Sequence, residues 1–120
     1  MTYTETCQQE GHTFCSPYYA PEHYGLSIVG VVEQDIAYEF DMFVIWTDGE
    51  KYYWAEDSGC SCPIPFEDAE LIAGTAKDAL IDLEAWVKDD DKDWRANERR
   101  EPYEQAKKSP WFEELFSHTA

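Results

Sequence analysis

Along this chain the spacing of apolar residues changes from strand-like to helical. In "AYEFDMFVIW", residues 37–46, the apolar residues Tyr38, Phe40, Met42, Val44 and Trp46 recur at every second position, the period of a strand. Phe43 and Ile45 then fill the opposite face, so the second half of this strand is expected to be covered on both sides. "GLSIVGVVE" before it is rich in β-branched residues. "TDGE" after it leads into "KYYWAE", and Asp-Gly between two β-rich runs signals a tight hairpin. These runs predict a three-stranded antiparallel meander over residues 25–57. With Asp48 and Gly49 as the two turn residues, Ile45 opposes Tyr52, Phe43 opposes Trp54 and Asp41 opposes Glu56. Like charges directly opposite cost a few tenths to about 1 kcal/mol. Separated strands, a nearby base or cation, or a protonated carboxyl would each relieve that cost.

Beyond residue 66 the period becomes helical. "EDAELIAG" reads as a short helix stopped by Gly74. Thr75 with Asp78 forms a capping-box pattern with Asp in place of the usual Glu or Gln. Ala76, Leu80, Leu83 and Val87 then recur at helical spacing, with Ala79 and Trp86 beside them, so a helix over about 75–88 should lie on the sheet. An exposed continuation through "DDDKDWRANERR" up to Pro102 fits the same pattern. "SPWFEELF" reads as a last helix, with Ser109 at the N-cap and Pro110 at the first position. Residues 1–24 are polar and aromatic, punctuated by Gly11, Pro17 and Pro21, and predict an irregular arm. The expectation is one α+β domain: the arm (1–24), the β-meander (25–57), a Cys/Pro loop (58–66) and a helical part (67–120).

Composition supports a packed core. The chain is 43% hydrophobic and carries five Trp, eight Tyr and six Phe among 120 residues. No apolar run approaches the roughly 20 residues of a membrane helix. The opening "MTYTETCQQEGH" lacks the basic and apolar regions of a secretion signal, so a soluble, intracellular protein is expected. In that compartment cysteines serve as reduced thiols or metal ligands.

Charge narrows the functional classes. The formal net charge is −17, and no Lys or Arg precedes Lys51. From Lys92 onward acids and bases balance, so the whole net charge lies before it. Such a body repels nucleic-acid phosphates and anionic membranes and attracts a basic partner. Solubility alone would also account for acidic residues on a small protein.

The chemistry-bearing candidates are few. Cys60 and Cys62 in "DSGCSCPIPFED" could supply one pair of ligands to a structural zinc, and Cys7, His12 and Cys15 in "CQQEGHTFC" the other. The spacings are atypical for a zinc knuckle, and small turn residues are the competing reading. A disulfide between residues one apart is geometrically disfavoured. His12, His23 and His118 stand in no recognisable arrangement with a nucleophile. No phosphate-binding glycine loop, H-E-x-x-H or G-x-S-x-G occurs. Asp41 with Glu56 could form a carboxylate pair, but chance pairs are expected among 26 acids. Asp89, Asp90, Asp91 and Asp93 lack the EF-hand pattern for calcium. An enzyme is therefore not expected.

The runs "YEFDMFVIW" and "YYWAEDSGCSCPIPFED", about residues 36–68, resemble a family of small proteins from phages of actinobacteria. These proteins carry a domain of unknown function with a DSGCSCPxPFED-type motif. The resemblance implies expression in the cytoplasm of a bacterial host and a compact αβ domain, and it brings no catalytic residues. Together with the charge it favours a binding protein that modulates a basic host protein, in the manner of a DNA mimic. The expected contacts are Glu33, Asp35, Glu39 and Asp41, with Trp111 and Phe112 as an apolar anchor. A zinc-stabilised structural or adaptor module is the alternative.

Overall fold

The structure, a computed structural model, describes residues 16–36, 39–60, 66, 70–88 and 99–119; the side chains of 34–36, 39, 40, 59 and 60 lie outside the description. The predicted meander is present as β1 (Ser27–Ile36), β2 (Glu39–Thr47) and β3 (Tyr52–Cys60). A short fourth strand, β4 (Ile72–Gly74), extends it, and the sheet runs β1-β2-β3-β4 with every neighbour antiparallel. Three helices follow: α1 (Ala76–Val87), α2 (Arg100–Ala106) and α3 (Pro110–Ser117). The α+β class holds, with four strands rather than three. No described helix is long and apolar enough to cross a membrane.

The β2–β3 register differs from the expected one by two residues. Thr47 pairs with Tyr52, Ile45 with Trp54, Phe43 with Glu56 and Asp41 with Ser58. The turn is longer than Asp-Gly alone because Asp48 organises it. Its Oδ1 accepts from the amides of Glu50 (2.8 Å) and Lys51 (2.7 Å), while Thr47 Oγ1 donates to the Lys51 carbonyl (2.8 Å). Gly49 takes the left-handed conformation this loop requires, with φ +99°. A slip of two keeps every side chain on its expected face, whereas a slip of one would turn each of them over. It also removes the expected Asp41–Glu56 repulsion.

The "EDAELIAG" helix is not what forms: residues 72–74 are strand, paired to Tyr52, Tyr53 and Trp54 at the free edge of β3. Gly74 lies against Trp54, where an added Cβ would come 2.8 Å from Cη2 of the indole. The capping box forms as read, with Thr75 Oγ1 accepting from the Asp78 amide and Asp78 Oδ2 from the Thr75 amide. The expected helical continuation through "DDDKDWRANERR" falls on residues 89–98, which lie outside the described residues. α2 begins at Arg100 and contains Pro102 in its first turn, where a missing amide hydrogen loses no helical bond. Ser109 does stand at the N-cap of α3, but its hydroxyl donates back to the Ala106 carbonyl instead of accepting from the helix.

Alternation on β2 splits the core into two layers. On one face Phe43 and Ile45, with Val32 of β1 and Trp54 of β3, meet Ala76, Ala79, Leu83, Trp86 and Val87 of α1. Ala106 and Leu115 bring α2 and α3 into the same layer. On the other face Met42, Val44, Trp46 and Ala55 are covered by Phe66, with Tyr18, Leu26 and Leu71 at the margin. The strand is thus buried on both sides, as its sequence implies.

Candidate functional site

The expected sites divide sharply between surface and core. Asp41, expected in an exposed acidic row, is 1% exposed and belongs to the helix-covered face. Its carboxylate accepts two bonds from Arg99, Nε to Oδ2 at 2.8 Å and Nη2 to Oδ1 at 3.0 Å. Arg99 Nη1 donates to the carbonyl of Trp86 at 2.9 Å, and the guanidinium lies 4.4 Å from the Trp86 ring centroid. A buried carboxylate needs such a partner because desolvating an uncompensated charge is expensive. The planar guanidinium satisfies the carboxylate, a helix-end carbonyl and an aromatic face together. The pair is therefore structural: it ties β2 to the end of α1 and the start of α2. Sequence reading missed it, although one signal was present. An Asp between Phe40 and Met42, at the entry to a run buried on both faces, requires a cation.

Glu33 is exposed on β1. Asp35 lies on the same strand and Glu39 opens β2, but their side chains are outside the description. Trp111 is half-buried, and its indole rests on Gly30 so closely that a Cβ there would overlap the ring. It belongs to the core rather than to a free anchor. Phe112 is half-buried between Trp111 and Tyr103 (ring centroids 5.7 and 6.2 Å). The exposed aromatic of α3 is Phe116, 62% exposed, and it shares a shallow groove with Leu80, Ile81, Tyr103 and Phe112. Lys77 and Glu84 also line this groove. Glu84 is paired with Lys88 at 2.7 Å, and that bond holds its carboxyl below the usual range. Burial raises the Tyr103 hydroxyl pKa.

The cysteine region is only partly placed. Cys60 ends β3 opposite Glu39, while Cys7, His12, Cys15 and Cys62 lie outside the described residues. Among the described residues no group of three His, Cys, Asp or Glu could hold a metal ion. Two described residues of the motif, Asp57 and Phe66, have defined tasks. Asp57 Oδ2 accepts from the Phe66 amide at 2.8 Å, which fixes the end of the loop. Phe66 is fully buried with φ 64°, a left-handed conformation unusual for a bulky residue. Its ring packs edge-on against Trp46 at 5.3 Å.

A family model described as a domain of unknown function matches residues 16–110. The chain belongs to that family, DUF7574. The DUF7574 match takes in all four strands, α1 and α2, and stops at the first residue of α3. It therefore includes Asp41, Arg99 and Phe66, whereas Trp111, Phe112 and Phe116 lie beyond it. No curated protein and no solved structure matches the chain.

Proposed function

We propose that the protein is a small acidic binding protein that modulates a basic host protein through its acidic surface, as a DNA mimic would. The charge pattern carries the reading: −17 in 120 residues, with no Lys or Arg before Lys51. Residues 16–50 build β1, β2 and the turn that packs on Trp46. The described cations other than Lys51 lie in or beside the helices. Glu33 is exposed on β1, within the base-free stretch of the chain. Phage origin, implied by the resemblance at residues 36–68, makes a factor of the bacterial host the natural target. Apolar contact would come from the groove of Ile81, Phe112 and Phe116 rather than from Trp111.

The test has two steps. A tagged copy is used to recover partners from a bacterial host lysate, and association is then measured at rising salt. The Debye length falls from about 10 Å at 0.1 M to about 3 Å at 1 M, so steered association should slow steeply. Glu33→Lys, Asp35→Lys and Glu39→Lys together should slow association further, with dissociation little changed. Unchanged association rate and salt dependence in a folded triple variant would overturn the proposal. So would recovery of no basic partner.

A further inference from the structure

We propose that the outer edge of β1, over residues 30–36, takes up an extended basic segment of a partner protein as a fifth strand. The inference rests on the acidic-binding reading above and names its mode of contact. β1 is the terminal strand of the sheet, and among the described residues only β2 pairs with it. An edge strand presents a row of unpaired amides and carbonyls, which is a template for another chain.

Two features define the usable length and the partner. The register with β2 shifts between Ile28 and Gly30 and is then continuous from Gly30 opposite Ile45 to Ile36 opposite Glu39. Residues 30–36 are therefore a regular strand. Folded proteins commonly protect such an edge with charged side chains, lysine above all, or with proline. "SIVGVVEQDI" contains no lysine or proline, and its charges, Glu33 and Asp35, guard the edge against acidic strands but not against basic ones. Acids at an edge disfavour a second copy of this chain, since each copy carries −17. They favour a strand bearing Lys or Arg at alternate positions. Exposed Tyr19 packs on Tyr18 at 5.4 Å, and Glu33 lies near enough to Tyr18 to add to the effect of burial on its hydroxyl. A cationic side chain entering beside Glu33 thus meets a carboxylate with the Tyr18 hydroxyl nearby. In strand addition, backbone bonds supply affinity and alternate side chains supply selectivity.

The probe is a blocked heptapeptide of alternating lysine and threonine, titrated into the full isotope-labelled chain. The largest amide shift changes should fall on residues 30–36. Methylating alternate backbone nitrogens should weaken binding roughly tenfold or more, the effect of losing one or two net hydrogen bonds. Glu33→Lys should weaken it about two- to fivefold, the size of one cross-strand charge pair. The glutamate-threonine peptide should not bind. No binding of the lysine peptide overturns the proposal. Equal affinity of the methylated peptide, or shift changes centred away from β1, overturns strand addition and leaves the acidic-binding reading standing. Equal binding of the glutamate peptide overturns both. A peptide-free dimer formed through the same amides overturns it by assigning the edge to a second copy.

Discussion

The two faces of the central sheet are buried by different means. On one, three helices lay regular apolar stripes on Val32, Phe43, Ile45 and Trp54, and a buried Asp41–Arg99 pair closes the end of the layer. On the other, Met42, Val44 and Trp46 are covered by pieces with no repeating pattern. These include a turn whose Pro17 carbonyl accepts from Trp46 Nε1 at 2.9 Å, and the single ring of Phe66. The first face spreads its stability over many similar contacts plus one electrostatic lock. The second concentrates it in one indole and one phenyl ring held in a strained backbone. The difference teaches that a strand can be equally buried on both sides while the two covers fail in different ways.

The largest expected effect tests the lock. Arg99→Ala strands the Asp41 carboxylate and should lower unfolding free energy by about 3–5 kcal/mol in denaturant titrations. Replacing both partners with apolar residues of similar volume, Asp41→Leu with Arg99→Met, should restore most of that loss. A double variant no better than the single would mean that the helices, not the ion pair, dominate this face. On the other face Phe66→Ala should cost about 3–5 kcal/mol, the range for a buried phenyl group, because alanine keeps the Cβ that opposes the left-handed backbone and offsets none of the lost packing. A loss under about 1 kcal/mol would show that the irregular cover contributes little.

Gly30→Ala probes the margin of the helical cover. The new methyl group must displace Trp111, so a cost of about 1–3 kcal/mol is expected. A change in tryptophan emission should accompany that loss; unaltered stability would place α3 outside the cooperative unit. The smallest effect belongs to the hairpin turn that the two faces share. Hydrogen bonds from the Lys51 and Glu50 amides and the Tyr53 hydroxyl lower the Asp48 pKa to about 2 from its ordinary 3.8. A depressed folded-state pKa means that the unfolded chain binds the proton more readily. This contribution is therefore complete above about pH 4 and disappears as pH falls through about 2. Asp48→Ala should flatten the stability profile in that window and leave it unchanged near neutrality in shape; an unaltered acid slope would contradict the turn geometry.

The same contrast decides what could be read from the sequence. Helical spacing from Ala76 to Val87 and two-residue alternation along β2 are repeated signals, so α1, the meander and the double burial of β2 were legible. The register was not, because it depends on Asp48 caging two amides, a local geometry that the Asp-Gly pair alone does not specify. β4 was missed because "LIAG" is too short to show a period, and pairing with the edge of β3 decides its conformation. Single contacts between distant residues leave no spacing at all. Phe66 reaching Trp46 is one such contact, and Arg99 reaching Asp41 is another. The latter moved one expected partner-binding residue into the core.

The Asp41–Arg99 bond joins positions 58 apart in the chain, whereas the bonds that shape the β2–β3 turn span five residues or fewer. Closing a long loop costs entropy that is recovered only when the surrounding contacts form. The hairpin is thus suited to nucleate folding, and the ion pair to form after the rate-limiting step. Arg99→Ala should then speed unfolding and leave the folding rate nearly unchanged, a φ-value near zero in stopped-flow kinetics. Slowed folding would instead place the ion pair within the nucleus. On this order of events the Asp41–Arg99 pair governs how long the folded chain persists, not how quickly it is reached.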